Sequence, residues 1–297
     1  MDRSFWIFRN PKQAIFCIMA LLMVIGAINV FSASYISAKD MGGDSYSFLK
    51  RYIIFSGLGF VMIHLIRKIG YKWFLKPEKL FTIYISVALA MMAVFMFPAI
   101  KGAHRWILLP GLSIQPSEAA KLAIIMVCAS SLGEMIKRGD KVRLFKGRSF
   151  KIVALTAVYF FLILLEPDLG TGAIVVGLML GMFIIAGLPK NEIIGMLGLA
   201  AAGAIALTMS TPYRRERVMV MLDPWRDPLD KGYQIVQSQT AIGSVGWIGT
   251  TWGHGIGKFF YLPEAHTDFA FAVFSQENGF LMVLFVLALY TALSFYT

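Results

Sequence analysis

Long apolar segments alternate with short polar ones along most of the chain. A helix needs about 20 apolar residues to cross the ~30 Å hydrocarbon layer of a bilayer. Eight segments approach or reach that length, at 14–33, 52–66, 80–98, 118–135, 152–165, 171–187, 193–210 and 280–297. The pattern predicts an all-α fold, a polytopic membrane bundle with eight transmembrane helices.

Composition supports the same class. Hydrophobic residues make up 58% of the 297 residues, charged residues 15%, and the mean hydropathy is +0.68. A soluble domain could not bury so much apolar surface. The net charge of +11 would make nucleic acid a candidate partner of a soluble protein. Here the basic residues fall between apolar segments, where membrane topology accounts for them, so no nucleic-acid partner is expected.

The distribution of Lys and Arg predicts the topology. More than half of the 28 basic residues lie in 1–13, 67–79, 136–151 and 188–192, on one side of alternating spans. Basic short loops stay cytoplasmic, which predicts a cytoplasmic N-terminus, an uncleaved first span and an extracytoplasmic loop at 211–279. The chain is interpreted as one membrane domain, 1–297. Because it stops inside its last apolar segment, we expect a C-terminally truncated sequence with helices missing.

Few ionisable residues lie in or beside the spans, and each is a functional candidate because charge at membrane depth is costly. Glu118 and Lys121 are three residues apart, so they share a helix face. They form either an ion pair that locks the bundle or the polar floor of an outward-facing cavity. The remaining candidates are Glu166 and Asp168 in a Pro- and Gly-containing hinge, and Asp268 and Glu277 before the last span.

The long loop carries basic and turn-forming motifs. Arg214 and Arg217 share a face of a helical turn, from which they could clamp phosphate or extend to lipid head groups. Two Asp-Pro pairs in 222–234 predict turns. Glycines cluster at 243–249 and 253–257 without a preceding strand, which argues against a dinucleotide site. Close backbone approach to a substrate, or flexibility, explains them better.

The last motif of the loop, at 261–271, places Glu264, His266 and Asp268 beside an apolar segment. A carboxylate there could act as a general base. His266 and Asp268 could instead serve as helix caps and interface contacts.

Several motifs together resemble the SEDS family of peptidoglycan glycosyltransferases, and its division branch (FtsW) more than its elongation branch (RodA). They are His104-Arg-Trp-Ile, Ile114-Gln-Pro-Ser-Glu-Ala-Ala-Lys121, Glu166-Pro-Asp-Leu-Gly-Thr171, Leu222-Asp-Pro-Trp-Arg-Asp-Pro228, Gly232-Tyr-Gln234, Gln237-Ser238, Ala241-Ile-Gly-Ser244 and the segment from Tyr261 to Phe269.

The resemblance implies a fold that usually has ten spans and resides in the bacterial cytoplasmic membrane. It implies polymerisation of lipid II on the outer membrane face during cell division, with release of undecaprenyl pyrophosphate and inversion at the anomeric carbon. The implied partners are lipid II, membrane lipids, a class B penicillin-binding transpeptidase and other divisome proteins.

The family's essential aspartate falls on Asp268, its cavity Glu and Lys on Glu118 and Lys121, and its outer-loop arginine on Arg105. Within this mechanism we expect Asp268 to act as the general base, and Arg105, Lys121, Arg214 and Arg217 to hold pyrophosphate or the lipid head. Glu118, Glu264 and His266 complete the expected substrate site. No protein metal site is expected, although Asp268 or Glu118 could help to bind a divalent cation, Mg²⁺ or Mn²⁺.

Three other functions compete with this one: an elongation polymerase, a lipid II flippase and a non-catalytic divisome scaffold. A flippase needs polar groups along its whole path. Spans 171–187 and 193–210 contain no acidic or basic residue, which favours a glycosyltransferase.

Overall fold

The computed structural model describes residues 10–40, 44–100, 102–110, 112–250 and 267–297. Eleven helices occur in this part of the chain: α1 (Pro11–Asp40), α2 (Ser47–Ile69), α3 (Tyr71–Phe74), α4 (Pro77–Ala93), α5 (Pro116–Lys137), α6 (Gly147–Leu165), α7 (Leu169–Ile185), α8 (Lys190–Met209), α9 (Pro212–Leu222), α10 (Tyr233–Gly243) and α11 (Ala270–Tyr296). The chain divides into two compact units, Leu65–Ile205 on one hand and Met1–His64 with Ala206–Thr297 on the other. We call them the central unit and the terminal unit.

The predicted all-α membrane fold is confirmed. Seven described helices are long and apolar enough to cross a bilayer, and the shorter apolar helix α7, with 17 residues, corresponds to the remaining predicted span, 171–187. Some bounds differ from the prediction: α2 has 23 residues where 52–66 was expected, because polar residues at both ends continue the helix.

In the central unit, α4, α5, α6 and α7 pack around a core that includes Ile124, Tyr159 and Phe183. The rings of Tyr84 and Tyr159 stack with centroids 4.4 Å apart. Each hydroxyl donates to a backbone carbonyl, Tyr84 to Leu155 at 2.8 Å and Tyr159 to Tyr84 at 2.9 Å. These bonds satisfy polar groups that would be costly in an apolar core.

A small antiparallel hairpin precedes α5 and was not predicted from the sequence. Its strands are β1 (Ile107–Leu109) and β2 (Leu112–Ile114), with Ile107 paired to Ile114. Because antiparallel pairing brings the open ends of a hairpin together, Arg105, before β1, and Gln115, after β2, reach the same region of the central unit.

In the terminal unit, α1 packs along α11, and α10 packs on the first part of α11. Small buried residues at the contact, Ala33, Ala241, Ala272 and Val273, let the helix backbones approach closely. The predicted turns follow α9 as a 3₁₀ turn, Pro224–Arg226, and further turns up to α10. α11 is interrupted at Gly279, where φ is +75° and ψ is 178°.

Candidate functional site

One arginine of the central unit, Arg105, forms hydrogen bonds to the hinge between α6 and α7. Arg105 Nε donates to the Glu166 carbonyl at 3.1 Å, and a terminal nitrogen of its guanidinium group donates to the Pro167 carbonyl. The other terminal nitrogen lies 3.9 Å from Asp168 Oδ2. The planar guanidinium group presents donors in a fixed fork, which suits two carbonyl acceptors and a nearby carboxylate on one turn.

Asp168 caps α7 and links the hinge to α5. Its carboxylate accepts from the backbone N–H of Thr171 at 3.2 Å and from the Thr171 hydroxyl at 2.9 Å. Gln115 Nε2 donates to Asp168 Oδ2 at 3.3 Å. An Asp at this position satisfies a free N–H of the first helical turn, so the spacing Asp168 to Thr171 explains where α7 begins.

Glu166 is fully buried in the hinge. Neither carboxylate oxygen has a hydrogen-bond partner among the residues that the structure describes. Burial, together with the nearby Asp168 carboxylate, raises the pKa of Glu166 to about 7, although the Arg105 guanidinium group acts in the opposite direction. Near neutral pH this side chain therefore changes between an acid and a carboxylate inside the protein.

Glu118 and Lys121 form the predicted pair. Both lie in the first turns of α5, and Lys121 Nζ is 2.8 Å from the Glu118 carboxylate. The side chain of Glu118 is 57% exposed and that of Lys121 is 23% exposed, so the pair faces outward from the central unit rather than into its core. A surface pair of this kind adds little stability. The pair leaves polar groups available to a ligand at the N-terminal end of α5, directly after Gln115.

Asp268 lies in the terminal unit, in the turn directly before α11. It is exposed, and the turn is continuous with the helix because Ala270 N–H and Ala272 N–H donate to the carbonyls of Thr267 and Phe269. A carboxylate at this position is accessible to a substrate hydroxyl. The other two predicted residues of the motif, Glu264 and His266, lie outside the described residues.

Arg214 and Arg217 lie on α9, as the predicted helical turn required. Arg214 donates to the Leu207 carbonyl at 3.4 Å and to the Ser210 hydroxyl at 3.2 Å, near the C-terminal end of α8. The Arg217 guanidinium group lies 4.8 Å from the centre of the Tyr213 ring. These contacts already engage part of each guanidinium group. The role of Arg214 and Arg217 as anion ligands stays a prediction.

Sequence reasoning missed a polar contact inside the terminal unit. The Ser32 hydroxyl of α1 donates to Glu277 Oε2 at 2.6 Å, and Asn29 Nδ2 donates to the Ala270 carbonyl at 3.1 Å. Glu277 is buried. The signal available in the sequence was the spacing of Asn29 and Ser32, three residues apart in an otherwise apolar span. These two bonds hold both ends of the helical segment that follows Asp268.

The glycine cluster makes a close backbone approach at one described position. Gly249 lies against the backbone of α11 near Gly279. The cluster at 253–257 lies outside the described residues. In the part of the chain that the structure describes, no three His, Cys, Asp or Glu side chains come together as metal ligands.

The predicted site residues thus fall into two groups, one in each compact unit. Arg105, Glu118 and Lys121 belong to the central unit, with Glu166 and Asp168 beside Arg105. Asp268, Arg214 and Arg217 belong to the terminal unit. The first group supplies cations and an ion pair, and the second supplies an exposed carboxylate and two arginines.

Comparison with known proteins yields three findings. Residues 12–297 match the model of the FtsW/RodA/SpoVE family, described as cell cycle proteins. Stage V sporulation protein E of Bacillus subtilis is 36% identical over 292 residues, which cover 96% of this chain and 77% of that protein. The probable peptidoglycan glycosyltransferase FtsW of Geobacter sp. (strain M18) is 35% identical over 281 residues, covering 92% of this chain and 74% of that protein.

The fold is also similar to that of a chain in a solved peptidoglycan synthase complex that coordinates polymerization and crosslinking. The TM-score is 0.70 and the identity 27%, with 97% of this chain and 76% of that chain covered. The sequence therefore spans about three quarters of the length of these proteins.

Proposed function

The chain belongs to the FtsW/RodA/SpoVE family of cell cycle proteins, and from this premise we infer that it is a peptidoglycan glycosyltransferase. The observation that carries the inference is the identity of 35% to a probable glycosyltransferase FtsW over nearly the whole chain. The reaction needs a base and positive charge, and the described residues include an exposed carboxylate, Asp268, in the terminal unit and cationic side chains in each unit.

The substrate that we propose is lipid II. The 4-hydroxyl of the acceptor sugar attacks the anomeric carbon of the donor, so a carbon–oxygen bond forms while the bond to the lipid pyrophosphate breaks. The hydroxyl proton passes to a base, and the pyrophosphate leaves with the electron pair. Attack from the face opposite the leaving group inverts the anomeric carbon.

Asp268 is the proposed base. Its support is its exposure at the start of a helix whose first part is anchored to α1 at Ala270 and Glu277. A general base must be held within hydrogen-bond reach of the proton that it removes. Anchoring on a neighbouring helix supplies that constraint.

The leaving pyrophosphate requires positive charge. Lys121, Arg105, Arg214 and Arg217 are the proposed sources, with Glu118 orienting Lys121 at 2.8 Å. Arg105 also holds the hinge, so we propose that it contributes through its charge while its donors remain on the hinge carbonyls. Glu264 and His266 are proposed as further substrate contacts. Among the described residues no three His, Cys, Asp or Glu side chains come together as metal ligands, and Asp268 or Glu118 would each supply a single carboxylate to a divalent cation.

We further propose a place for the enzyme in the cell. The excess of basic residues in four short segments supports a cytoplasmic N-terminus, which puts 211–279 and Asp268 at the outer face of the cytoplasmic membrane. The similarity to FtsW supports a role in division. The similarity to a chain of a complex that polymerises and crosslinks supports a class B transpeptidase as partner.

The test is Asp268→Asn. Because the amide cannot accept the proton, we expect glycan polymerisation to fall by roughly 10²–10⁴-fold. The measurement is gel analysis of strands made from labelled lipid II by the purified chain with its cognate transpeptidase. Asp140→Asn, an exposed aspartate in the loop between α5 and α6, is the matched control, and the partner alone is the blank.

Near-normal polymerisation by Asp268→Asn would remove Asp268 from the mechanism. A wild-type chain that binds its partner but makes no polymer would favour the scaffold function. Rescue of a strain depleted of its division polymerase, rather than of its elongation polymerase, would separate the two branches of the family.

A further inference from the structure

The interruption of α11 separates two helical parts with different surroundings. Residues 270–278 follow directly on Asp268 and pack on α1 and α10 through Ala272 and Val273. Residues after Gly279 form the apolar part that corresponds to the last predicted span. We call 270–278 the half-helix.

Residues 246–250 bridge the interruption with their backbone. An unbroken helix would pair Phe280 N–H with the Gln276 carbonyl. Instead Phe280 N–H donates to the Gly246 carbonyl at 3.3 Å, and Leu281 N–H donates to the Trp247 carbonyl at 3.2 Å. The Gln276 carbonyl accepts from Thr250 N–H and from the Thr250 hydroxyl, both at 3.1 Å. Backbone groups freed by the break therefore find partners on one short segment, as an apolar environment requires.

Two glycines make this approach sterically feasible. A Cβ placed on Gly279 would lie 2.6 Å from the Trp247 carbonyl oxygen, and one placed on Gly249 would lie 2.6 Å from Gly279 N. Both distances are far shorter than real Cβ contacts. Both glycines also have positive φ, +82° at Gly249 and +75° at Gly279, and the second conformation is essentially restricted to glycine. We call 246–250 and the interruption at Gly279 the backbone junction.

The junction holds the end of the half-helix that lies away from Asp268. At the other end, Asn29 donates to the Ala270 carbonyl. Ser32 adds a bond to Glu277 near the junction. Trp247 packs edge-on against Phe280, with ring centroids 5.4 Å apart at 77°. The half-helix is therefore fixed on α1 at one side and on the apolar part of α11 through the junction.

We propose that the backbone junction is a positioning device for Asp268, with Gly249 and Gly279 as its positioning residues. The proposal rests on the proposed function, since it assumes that Asp268 is the base. A helix of this length transmits a displacement at one end to the other, because its hydrogen-bonded backbone moves as a unit. Loss of the junction shifts or loosens Asp268 without touching any substrate contact.

The experiment uses the full chain with its cognate transpeptidase and labelled lipid II. Gly279→Ala and Gly249→Ala each place a methyl group between the two backbones. We expect kcat to fall by roughly 10²-fold, the effect of misplacing a reacting group by about 1 Å, while KM changes little. Gly139→Ala is the matched control, because Gly139 also has a positive φ (+73°) but its Cβ would meet nothing within 4 Å.

The double variant Gly249→Ala/Gly279→Ala tests whether both glycines act through one junction. Since either methyl group already separates the backbones, the double variant should be no slower than the slower single variant. Trp247→Ala is a milder variant that keeps both glycines, and it should lower kcat by a smaller factor. It keeps the test open if the alanine variants do not fold.

Hydrogen exchange provides a readout that does not need activity. The backbone amides of residues 267–278 should exchange faster in Gly279→Ala than in the wild type. In Gly139→Ala their exchange rates should equal those of the wild type. A normal kcat in both single glycine variants would overturn the proposal. So would a double variant whose kcat falls by the product of the two single factors. An inactive wild type, or an active Asp268→Asn variant, would instead refute the proposed function, and the exchange data would then still decide whether the junction fixes the half-helix.

Discussion

Each compact unit contains a break in helical structure, and the two breaks are bridged by different chemistry. At the hinge of the central unit, side chains bridge the break: Arg105 donates to two backbone carbonyls and forms an ion pair with Asp168, and Asp168 caps α7. At the junction of the terminal unit, backbone N–H and carbonyl groups of 246–250 take over the bonds that Gly279 interrupts. The hinge contains charge, whereas the bonds of the junction join neutral groups.

The two breaks therefore tolerate different changes. A turn held by charged side chains responds to pH and to the loss of one guanidinium group. In a turn held by neutral backbone groups, the hydrogen bonds do not depend on pH. Such a turn has no room for a Cβ atom at its glycines. Three predictions test this contrast, and all are measured as thermal unfolding of the purified chain in detergent.

The largest expected effect on stability comes from Arg105→Ala. The change removes the donors to the Glu166 and Pro167 carbonyls and takes the guanidinium group away from Asp168 and the buried Glu166. We expect a loss of about 3 kcal/mol, or a Tm lower by roughly 8 °C. Arg105→Lys should recover only part of it, because an ammonium group cannot reproduce the fork.

The control for that experiment is Arg217→Ala in the terminal unit, where the guanidinium group lies on an exposed ring. Its loss should cost about 0.5 kcal/mol. Equal effects of the two alanine variants would show that the hinge does not depend on Arg105 and would remove the contrast between the breaks.

The second prediction concerns the pH dependence of the hinge. The pKa of Glu166 rises from its ordinary 4.5 to about 7 in the folded protein, mainly through burial. The folded state therefore binds the proton more tightly than the unfolded state. The stabilising effect is complete below about pH 4.5 and is lost as the pH rises through 7.

The amide of Glu166→Gln cannot titrate. The variant should therefore keep its free energy of unfolding as the pH rises through 7, where the wild type becomes less stable. Between pH 5 and pH 8 we expect the variant to gain roughly 2 kcal/mol relative to the wild type. Gly279→Ala, which changes no titrating group, should run parallel to the wild type over this range. Parallel curves for Glu166→Gln would mean that Glu166 does not titrate in this window.

The smallest effects compare one hydroxyl in each break. Both bonds are partly buried: Thr171→Val removes a bond to the Asp168 carboxylate, and Thr250→Val removes a bond to the Gln276 carbonyl, which also accepts from the Thr250 backbone N–H. Bonds to charged groups are stronger, so we expect about 1.5 kcal/mol for Thr171→Val and about 0.5 kcal/mol for Thr250→Val. The reverse order would contradict the assignment of side-chain support to the hinge.

Local patterns predicted some contacts and turns near the candidate site residues. The spacing of Glu118 and Lys121 predicted their contact, since residues three apart share a helix face. Asp-Pro pairs predicted the turns between α9 and α10. The residues that act over long distances were harder to find. Nothing in the spacing of Arg105 indicates that it holds a hinge 61 residues later, because that contact depends on the hairpin that no hydropathy pattern predicted.

The glycine cluster also has a partner that local sequence patterns do not predict. The cluster at 243–249 predicted close backbone approach to a substrate, or flexibility, whereas the structure shows that Gly249 approaches the backbone of α11 at Gly279. A sequence indicates that a position can accept another backbone, but the partner is fixed only by packing.

By itself the sequence determined the membrane class, the eight apolar segments, the family and the residue types available for catalysis. These properties follow from transfer free energies and spacings that each segment carries locally. The tertiary structure alone decided that Glu166 is buried, that Arg105 supports the hinge, and that a glycine pair joins 246–250 to the helix behind Asp268. Such contacts depend on which surfaces meet when helices pack, and that is a property of the whole chain rather than of any window within it.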